Sequence, residues 1–384
     1  MVSLEQAVAA PFATRQLADL GARVIKVERP RVGDFARGYD ATVRGMSSHF
    51  IWLNRSKESL TLDLKQDAAK QVLHRLLEKA DIFVQNLAPG AVDRLGFSAA
   101  ELRKNYPRLI VCNLSGYGST GPYREKKAYD LLVQAEAGLI SITGTEQTPS
   151  KVGISVADIS CGMYAYSGIL TALLVRSRTG EGMALETSLL DSLSEWMGYA
   201  AYYTLYGGTA PARTGASHAT IAPYGPVQSA DGKTVYLGLQ NEREWKRFCE
   251  AVLRKPELAS DPLFDSNAKR VQNRPKLDQT MQHVFGKLTA AEITVRLESA
   301  QIANARLNTV QEFLDHPQLK ARQRWAQVDS PVGPLQALLP PVTLENSEPV
   351  LNAVPALGAN TNSILAELNF DSDTIAGWRK AGVI

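Results

Sequence analysis

Residues Met1–Pro30 read as strand, helix, strand, and this opening constrains the fold more than any other stretch. Val2–Leu4 is a short apolar segment. Pro11–Leu20 places Phe12, Leu17 and Leu20 at helical intervals, and Gly21 follows as the closing residue. Arg23–Glu28 alternates like a strand. A βαβ unit forces parallel pairing of its strands, so the chain is steered towards a doubly wound α/β sheet. The first strand looks clipped, as if further residues preceded it. Further strands are expected at Ser59–Leu64, Ala80–Asn86, Leu109–Ser115 and Met183–Leu190. Helices are expected at Asp67–Lys79, Tyr129–Leu139, Asp158–Arg178 and Asp191–Tyr206.

A length of 384 residues exceeds one ordinary core, so two domains are expected. Composition shifts at Gly207-Gly208-Thr209-Ala210-Pro211. Beyond it, Tyr224–Gln240 reads as a hairpin around an Asp231-Gly232 turn. Helices follow at Glu242–Leu253, Asn273–Leu288 and Ala290–Ala300, then a β-rich return at Val328–Leu344 and a terminal helix at Ala359–Leu368. The expected layout is a Rossmann-like large domain with a mostly parallel sheet (1–206), a smaller α+β domain (207–320), and a segment (321–384) returning to the large domain.

A net charge of +3, with Lys and Arg spread along the chain, gives no argument for nucleic acid. Cys112, Cys161 and Cys249 form no C-x-x-C pair, and the histidines show no metal-ligand spacing, so no metal is expected. The N-terminus lacks a basic signal-like region, and no window of 18 apolar residues is free of charge, so no membrane association is expected and a cytoplasmic location is.

Four stretches bear on chemistry. In Lys151–Tyr164 a short apolar run passes directly into an apolar helix, and Asp158 is the ionisable group at the junction. It reads as a helix cap or as a nucleophile aimed into a cleft. The two are compatible, because a helix N-terminus would keep the carboxylate ionised. The loop Glu5–Ala10 lacks the glycines of a dinucleotide fingerprint, which argues against NAD. Gly116–Gly121 matches G-x-G-x-x-G but runs into Pro122 and a charged loop, so it reads as a flexible loop on the substrate side. Asn86 and Arg94 follow a strand end, where parallel sheets carry their ligands.

Together these motifs resemble the family III CoA-transferases, the group that includes formyl-CoA:oxalate and carnitine CoA-transferases and the alpha-methylacyl-CoA racemases. The resemblance covers nearly the whole chain. It is carried by Ala9-Ala10-Pro11, Gly21–Pro30, Gly33-Asp34, Asn54-Arg55-Ser56-Lys57, Asn86–Gly90, Leu114–Gly118, Tyr129-Asp130 and Ala157–Gly162. It implies that Asp158 is a nucleophile, with Tyr129 and Asp130 beside the reacting carbonyl. It implies coenzyme A or acyl-CoA as substrate, held by Arg29, Leu62, Lys65, Asn86, Leu87, Ala88, Arg94 and Lys127. It also implies an interlocked homodimer. The racemase branch needs a histidine where this chain has Tyr129, and a phenol is a poor base near neutral pH. A non-catalytic CoA-binding protein is the other alternative. No tetraglycine loop is present; Gly207-Gly208 and Thr214–Thr220 are the nearest lid candidates. Ser3–Pro11 and Arg37–Asp40 look most like the branch acting on short dicarboxylic acids (mesaconate, citramalate, itaconate, succinate). Arg37, Arg44 and His49 are the candidate partners for the distal carboxylate.

Overall fold

The computed structural model describes all 384 residues. The chain divides into two compact units. The first comprises Met1–Ala137, Gly153–Met197 and Gln318–Ile384, and the second Gly138–Val152 and Gly198–Pro317.

The first unit is built on β1 (Val2–Leu4), β2 (Val24–Glu28), β3 (Lys57–Thr61), β4 (Ile82–Gln85), β5 (Ile110–Ser115) and β6 (Ala184–Ser188), all parallel, in the order β3-β2-β1-β4-β5-β6. β1, β2 and β4 are buried along their whole length. β1 and β4 are accordingly mostly apolar, whereas β2 also buries Lys26 and Glu28, which are paired inside. On one face, Val72, Leu73, Leu76 and Leu77 of the helix Asp67–Glu78 pack with Leu60, Phe83, Ile364, Leu365, Val383 and Ile384. The strand order reverses between β1 and β4, the switch point at which open α/β sheets bind ligands beyond their carboxyl ends.

Two helices lie close together in this unit: Ala9–Asp19, and the long helix Val156–Thr179. A Cβ on Gly162 would stand 2.6 Å from the Ala9 carbonyl oxygen, so glycine sets their separation. The long helix is apolar and long enough to cross a membrane. One side of it packs on the first helix and on β5 and β6, while Met163, Leu170 and Leu174 stay exposed. Arg176 in its last turn favours the helix dipole and also binds Asp81 at 2.8 Å.

The C-terminal segment is stitched to β3. Ser59 N donates to Asn360 Oδ1 and Thr61 N to Thr361 Oγ1, both at 3.0 Å. β10 (Trp325–Val328) and β11 (Leu335–Leu338) form an antiparallel pair in this return. The expected terminal helix is present as Thr361–Glu367 but does not end the chain. A further helix, Ser372–Lys380, is capped by Asp371, whose side chain accepts from Thr374 N.

The helix expected over Asp191–Tyr206 is two helices, Leu189–Trp196 in the first unit and Gly198–Gly207 in the second. Met197 closes the former and Gly198, a poor helix-interior residue, opens the latter. The second unit holds an antiparallel sheet, β7 (Tyr224–Gln228), β8 (Thr234–Gly238) and β9 (Ala303–Arg306). Its hairpin turn is fixed by Ser229 Oγ donating to Asp231 Oδ1 and by Gly232 at positive φ. Trp245, Phe248, Phe264, Leu277 and Phe285 form its core, and the buried Arg270 is paired with Glu242 over the Trp245 ring.

Candidate functional site

Several of the sequence candidates lie in segments that follow strands of the parallel sheet. Arg29 follows β2, Leu62 and Lys65 follow β3, Asn86 to Arg94 follow β4, and Lys127 and Tyr129 lie beyond β5. Arg29, Lys65, Arg94 and Lys127 are all exposed, so successive loops each present a cation at the carboxyl end of the sheet. A phosphate-bearing ligand lying across those ends would meet several charge-assisted donors.

Three candidates are committed elsewhere. Leu62 is 1% exposed within the core, and its N–H is bonded to Glu28 O, so it offers no side chain to a ligand. Asn86 donates from Nδ2 to Gln6 O at 2.9 Å and accepts Gln6 N at Oδ1 at 2.8 Å, which ties the loop after β1 to the loop after β4. Arg37 is not available for a substrate carboxylate. Both Nε and Nη2 hold the buried Glu28, at 2.8 and 2.7 Å, and the guanidinium lies 3.7 Å over the Phe50 ring. Arg44 is exposed and donates to Val332 O, while His49 Nδ1 lies 3.8 Å from Asp40 Oδ2. Leu87 N is held by Gln85 Oε1, and Ala88 is exposed.

Beneath these loops lies a buried charge network. Glu5 accepts from Lys57 at 2.7 Å, Lys26 at 3.3 Å and Thr14 at 2.6 Å, and Lys26 also binds Asp34 at 2.7 Å. Burial alone would raise the Glu5 carboxyl, but the two lysines outweigh it and hold it at about 2. Asp34 Oδ1 accepts the N–H groups of Ala7 and Ala36, and Asn54 Oδ1 accepts from Lys57. The motifs around Gly33-Asp34 and Asn54–Lys57 therefore brace the loops at the switch point.

Asp158 stands in the first turn of the long helix. It is not the cap. The cap position is Ser155, whose side chain makes no capping bond. The first-turn N–H groups of Ala157 and Asp158 instead donate to Asp130 Oδ1, at 2.7 and 3.3 Å. Asp130 opens the helix Asp130–Glu136, and its Oδ2 accepts from Gln134 Nε2 at 2.7 Å. The expectation that the helix N-terminus would keep Asp158 ionised is reversed. Burial, and then the charge of Asp130, push the Asp158 carboxyl up to about 7. The helix dipole is already answered by Asp130, and the nearest charge to Asp158 has the same sign.

Tyr129 precedes Asp130 in extended backbone and is 65% exposed. Tyr39 was not singled out in the sequence, although it sits within the Arg37–Asp40 run. Burial, then Asp34, Asp158 and Tyr129, push its phenol up to about 12, so it remains a neutral O–H donor. Lys126, adjacent to Lys127, is committed to Glu136 and lies 4.1 Å over the Tyr123 ring, which anchors the loop that carries Lys127. The candidates are a weakly ionised carboxylate that accepts no bond from the chain, a neutral phenol, and exposed cations in loops that follow the strands. That suits nucleophilic attack on an acyl group carried by an anionic ligand.

Comparison with known proteins agrees with this chemistry. The model of CoA-transferase family III matches residues 1–361. A mouse protein named succinyl-CoA:glutarate CoA-transferase is 32% identical over 389 residues, covering 100% of this chain and 89% of its own. An Acetobacter aceti protein named acetyl-CoA:oxalate CoA-transferase is 36% identical over 324 residues, 84% of this chain and 83% of its own. A Haloarcula hispanica protein named succinyl-CoA:mesaconate CoA-transferase is 32% identical over 341 residues, 86% of this chain and 85% of its own. Among solved structures, a CaiB/BaiF family protein from Brucella suis superposes with a TM-score of 0.83 at 31% identity, covering 96% of this chain and 97% of the other. A matching family model across most of the chain, full-length relatives above 30% identity and a shared fold place this protein in CoA-transferase family III, as an enzyme that transfers CoA.

Proposed function

We propose that this enzyme moves CoA from an acyl-CoA donor such as succinyl-CoA to a short dicarboxylic acid, with Asp158 as the nucleophile. The observation that carries this reading is the Asp158 carboxylate at the start of its helix, relieved of capping by Asp130. The relatives named for glutarate, mesaconate and citramalate support the substrate class.

A carboxylate oxygen of Asp158 attacks the thioester carbonyl, the C–S bond breaks, and an aspartyl mixed anhydride forms with CoA thiolate. The thiolate attacks the aspartyl carbonyl, releasing the donor acid as carboxylate and leaving an aspartyl-CoA thioester. The acceptor carboxylate attacks that thioester, again releasing thiolate. The thiolate takes the acceptor's acyl carbon and returns Asp158 as a carboxylate. Covalent catalysis divides one exchange into steps whose leaving groups are good. Tyr39, as a neutral donor, is suited to the oxygen on which negative charge develops. Arg29, Lys65, Arg94 and Lys127, with backbone near Leu62, Asn86, Leu87 and Ala88, hold the nucleotide. Arg44 and His49 face the distal carboxylate.

The chain works as a cytoplasmic, interlocked homodimer. Tyr202, Leu205 and Tyr206 on the helix Gly198–Gly207 are 68, 71 and 79% exposed, more apolar surface than one short helix ordinarily leaves to water. Static light scattering tests the dimer, and a monomer mass would exclude it. The function is tested by CoA exchange between succinyl-CoA and a panel of short acids. Asp158→Ala abolishes exchange, and a hydroxylamine-trapped hydroxamate maps to Asp158 in the native enzyme. Persistent exchange in the variant refutes the mechanism.

A further inference from the structure

Asp130 is more than a neighbour of the nucleophile. The helix Val156–Thr179 begins with N–H groups that need acceptors, as every helix does. Its own cap residue, Ser155, does not answer them. Asp158, in the first turn, lies within reach of the same exposed N–H groups, where an acidic side chain is stabilised. Asp130, from 28 residues upstream, takes Ala157 N at 2.7 Å and Asp158 N at 3.3 Å with a single oxygen. Its other oxygen is fixed at 2.7 Å by Gln134, which is wholly buried. Both ends of the Asp130 carboxylate are thus committed, and that of Asp158 accepts no bond from the chain.

We propose that Asp130 is a positioning residue: by capping the long helix in place of Asp158, it keeps the nucleophilic carboxylate free of helix donors and turned to the acyl group. This rests on Asp158 being the nucleophile and extends it. An uncapped Asp158 would reach back to its own helix, become a strongly stabilised anion, and lose nucleophilicity and reach together. The arrangement separates two jobs that one carboxylate cannot do at once.

The surroundings leave Asp130 as the group that governs Asp158. Tyr129 adjoins Asp130, Tyr39 approaches from the loop after β2, and Cys161 lies a turn further along the helix and is buried. On the packed elements, Arg15 and Asp19 pair with each other, Asp191 binds Ser188, Cys112 of β5 is buried, and Glu136 binds Lys126. Glu186 is the remaining acidic group on β6.

The test is a titration of the enzyme labelled with ¹³Cγ-aspartate, in which the Asp158 resonance is the one missing from Asp158→Asn. Asp130→Asn keeps an oxygen acceptor for the two N–H groups but removes the charge. The Asp158 midpoint should fall by about one pH unit, and the acid limb of kcat/KM should move with it. Asp130→Ala loses the acceptor too, and kcat should fall by about tenfold or more with a smaller change in KM. An unmoved Asp158 midpoint in Asp130→Asn, or full kcat in a folded Asp130→Ala, overturns the proposal. If Asp130→Ala does not fold, Asp130→Ser, too short to reach both N–H groups, takes its place with the same kcat readout. The titration needs no turnover, so it still reports on Asp130 if Asp158→Ala retains exchange and the nucleophile assignment itself fails.

Discussion

Asn86 brackets the backbone of Gln6, accepting its N–H at 2.8 Å and donating to its carbonyl at 2.9 Å. This two-bond clamp joins the loops after β1 and β4 at the point where strand order reverses. The crevice that holds a dinucleotide in other doubly wound sheets is here tied together by the chain's own amide. Asn86→Ala should cost about 1–3 kcal/mol, the penalty of leaving partly buried backbone groups unpaired. Urea denaturation measures the loss, and faster hydrogen exchange at Gln6 N localises it.

Asp158 should cost stability at the pH where it works. Its folded pKa, at about 7, lies above the ordinary carboxylate value of 3.8. The folded state therefore binds the proton more tightly, an advantage fully present below about pH 4 and lost as pH rises through 7. Asp158→Asn should accordingly be more stable than the native enzyme at pH 8, by roughly 2–4 kcal/mol, since each tenfold change in proton affinity between the folded and unfolded chains is worth about 1.4 kcal/mol. It should show no such gain near pH 4. Thermal melts across this range check the sign: a gain that does not grow with pH contradicts it.

Glu5 behaves in the opposite sense. With its carboxyl held at about 2, the stability it contributes is present above its ordinary 4.5 and lost as pH falls towards 2. Replacing it with Gln leaves Lys26 and Lys57 facing each other without their shared anion. The expected loss is about 3–5 kcal/mol, that of a broken buried pair. Denaturation at pH 7 measures it, and native-like stability would show that Asp34 suffices for both lysines.

Gly162→Ala tests the helix contact. The added methyl meets Ala9 O at 2.6 Å and the Phe12 ring at 3.0 Å, so the helices must part. A loss of about 1–3 kcal/mol is expected. Because Asp158 lies one turn before Gly162, kcat should fall as well, and an assay beside the melt shows whether the two losses travel together.

How much of this was legible depended on how far apart the interacting residues lie in sequence. β1, β4 and β5 are readable because strands buried on both faces carry an apolar signature, and β2 because its residues alternate. Asp158 was readable because a lone carboxylate interrupts an apolar junction. Asp130 stands within the Tyr129-Asp130 motif, but its task is hidden there, because a cap supplied from another helix leaves no local pattern. Arg37 misled for a related reason. Its spacing from Glu28 does not reveal that the chain turns at Gly33, where φ is +71°, and brings the two together. The helix Ser372–Lys380 was missed although Asp371 with Thr374 is an ordinary capping signature, because the segment is mostly polar and buries no residue fully.

The second unit interrupts the first, and this bears on the order of assembly during synthesis. Residues 198–317 leave the ribosome before the stretch Gln318–Ile384 that completes the larger unit. Ile364, Leu365, Val383 and Ile384 belong to the core around β1, β2 and β3, whose strands were made first. The smaller unit can close its aromatic core while the earlier strands still wait for their last layer, and that delay leaves the parallel sheet open at the stage when chains are most prone to mispair.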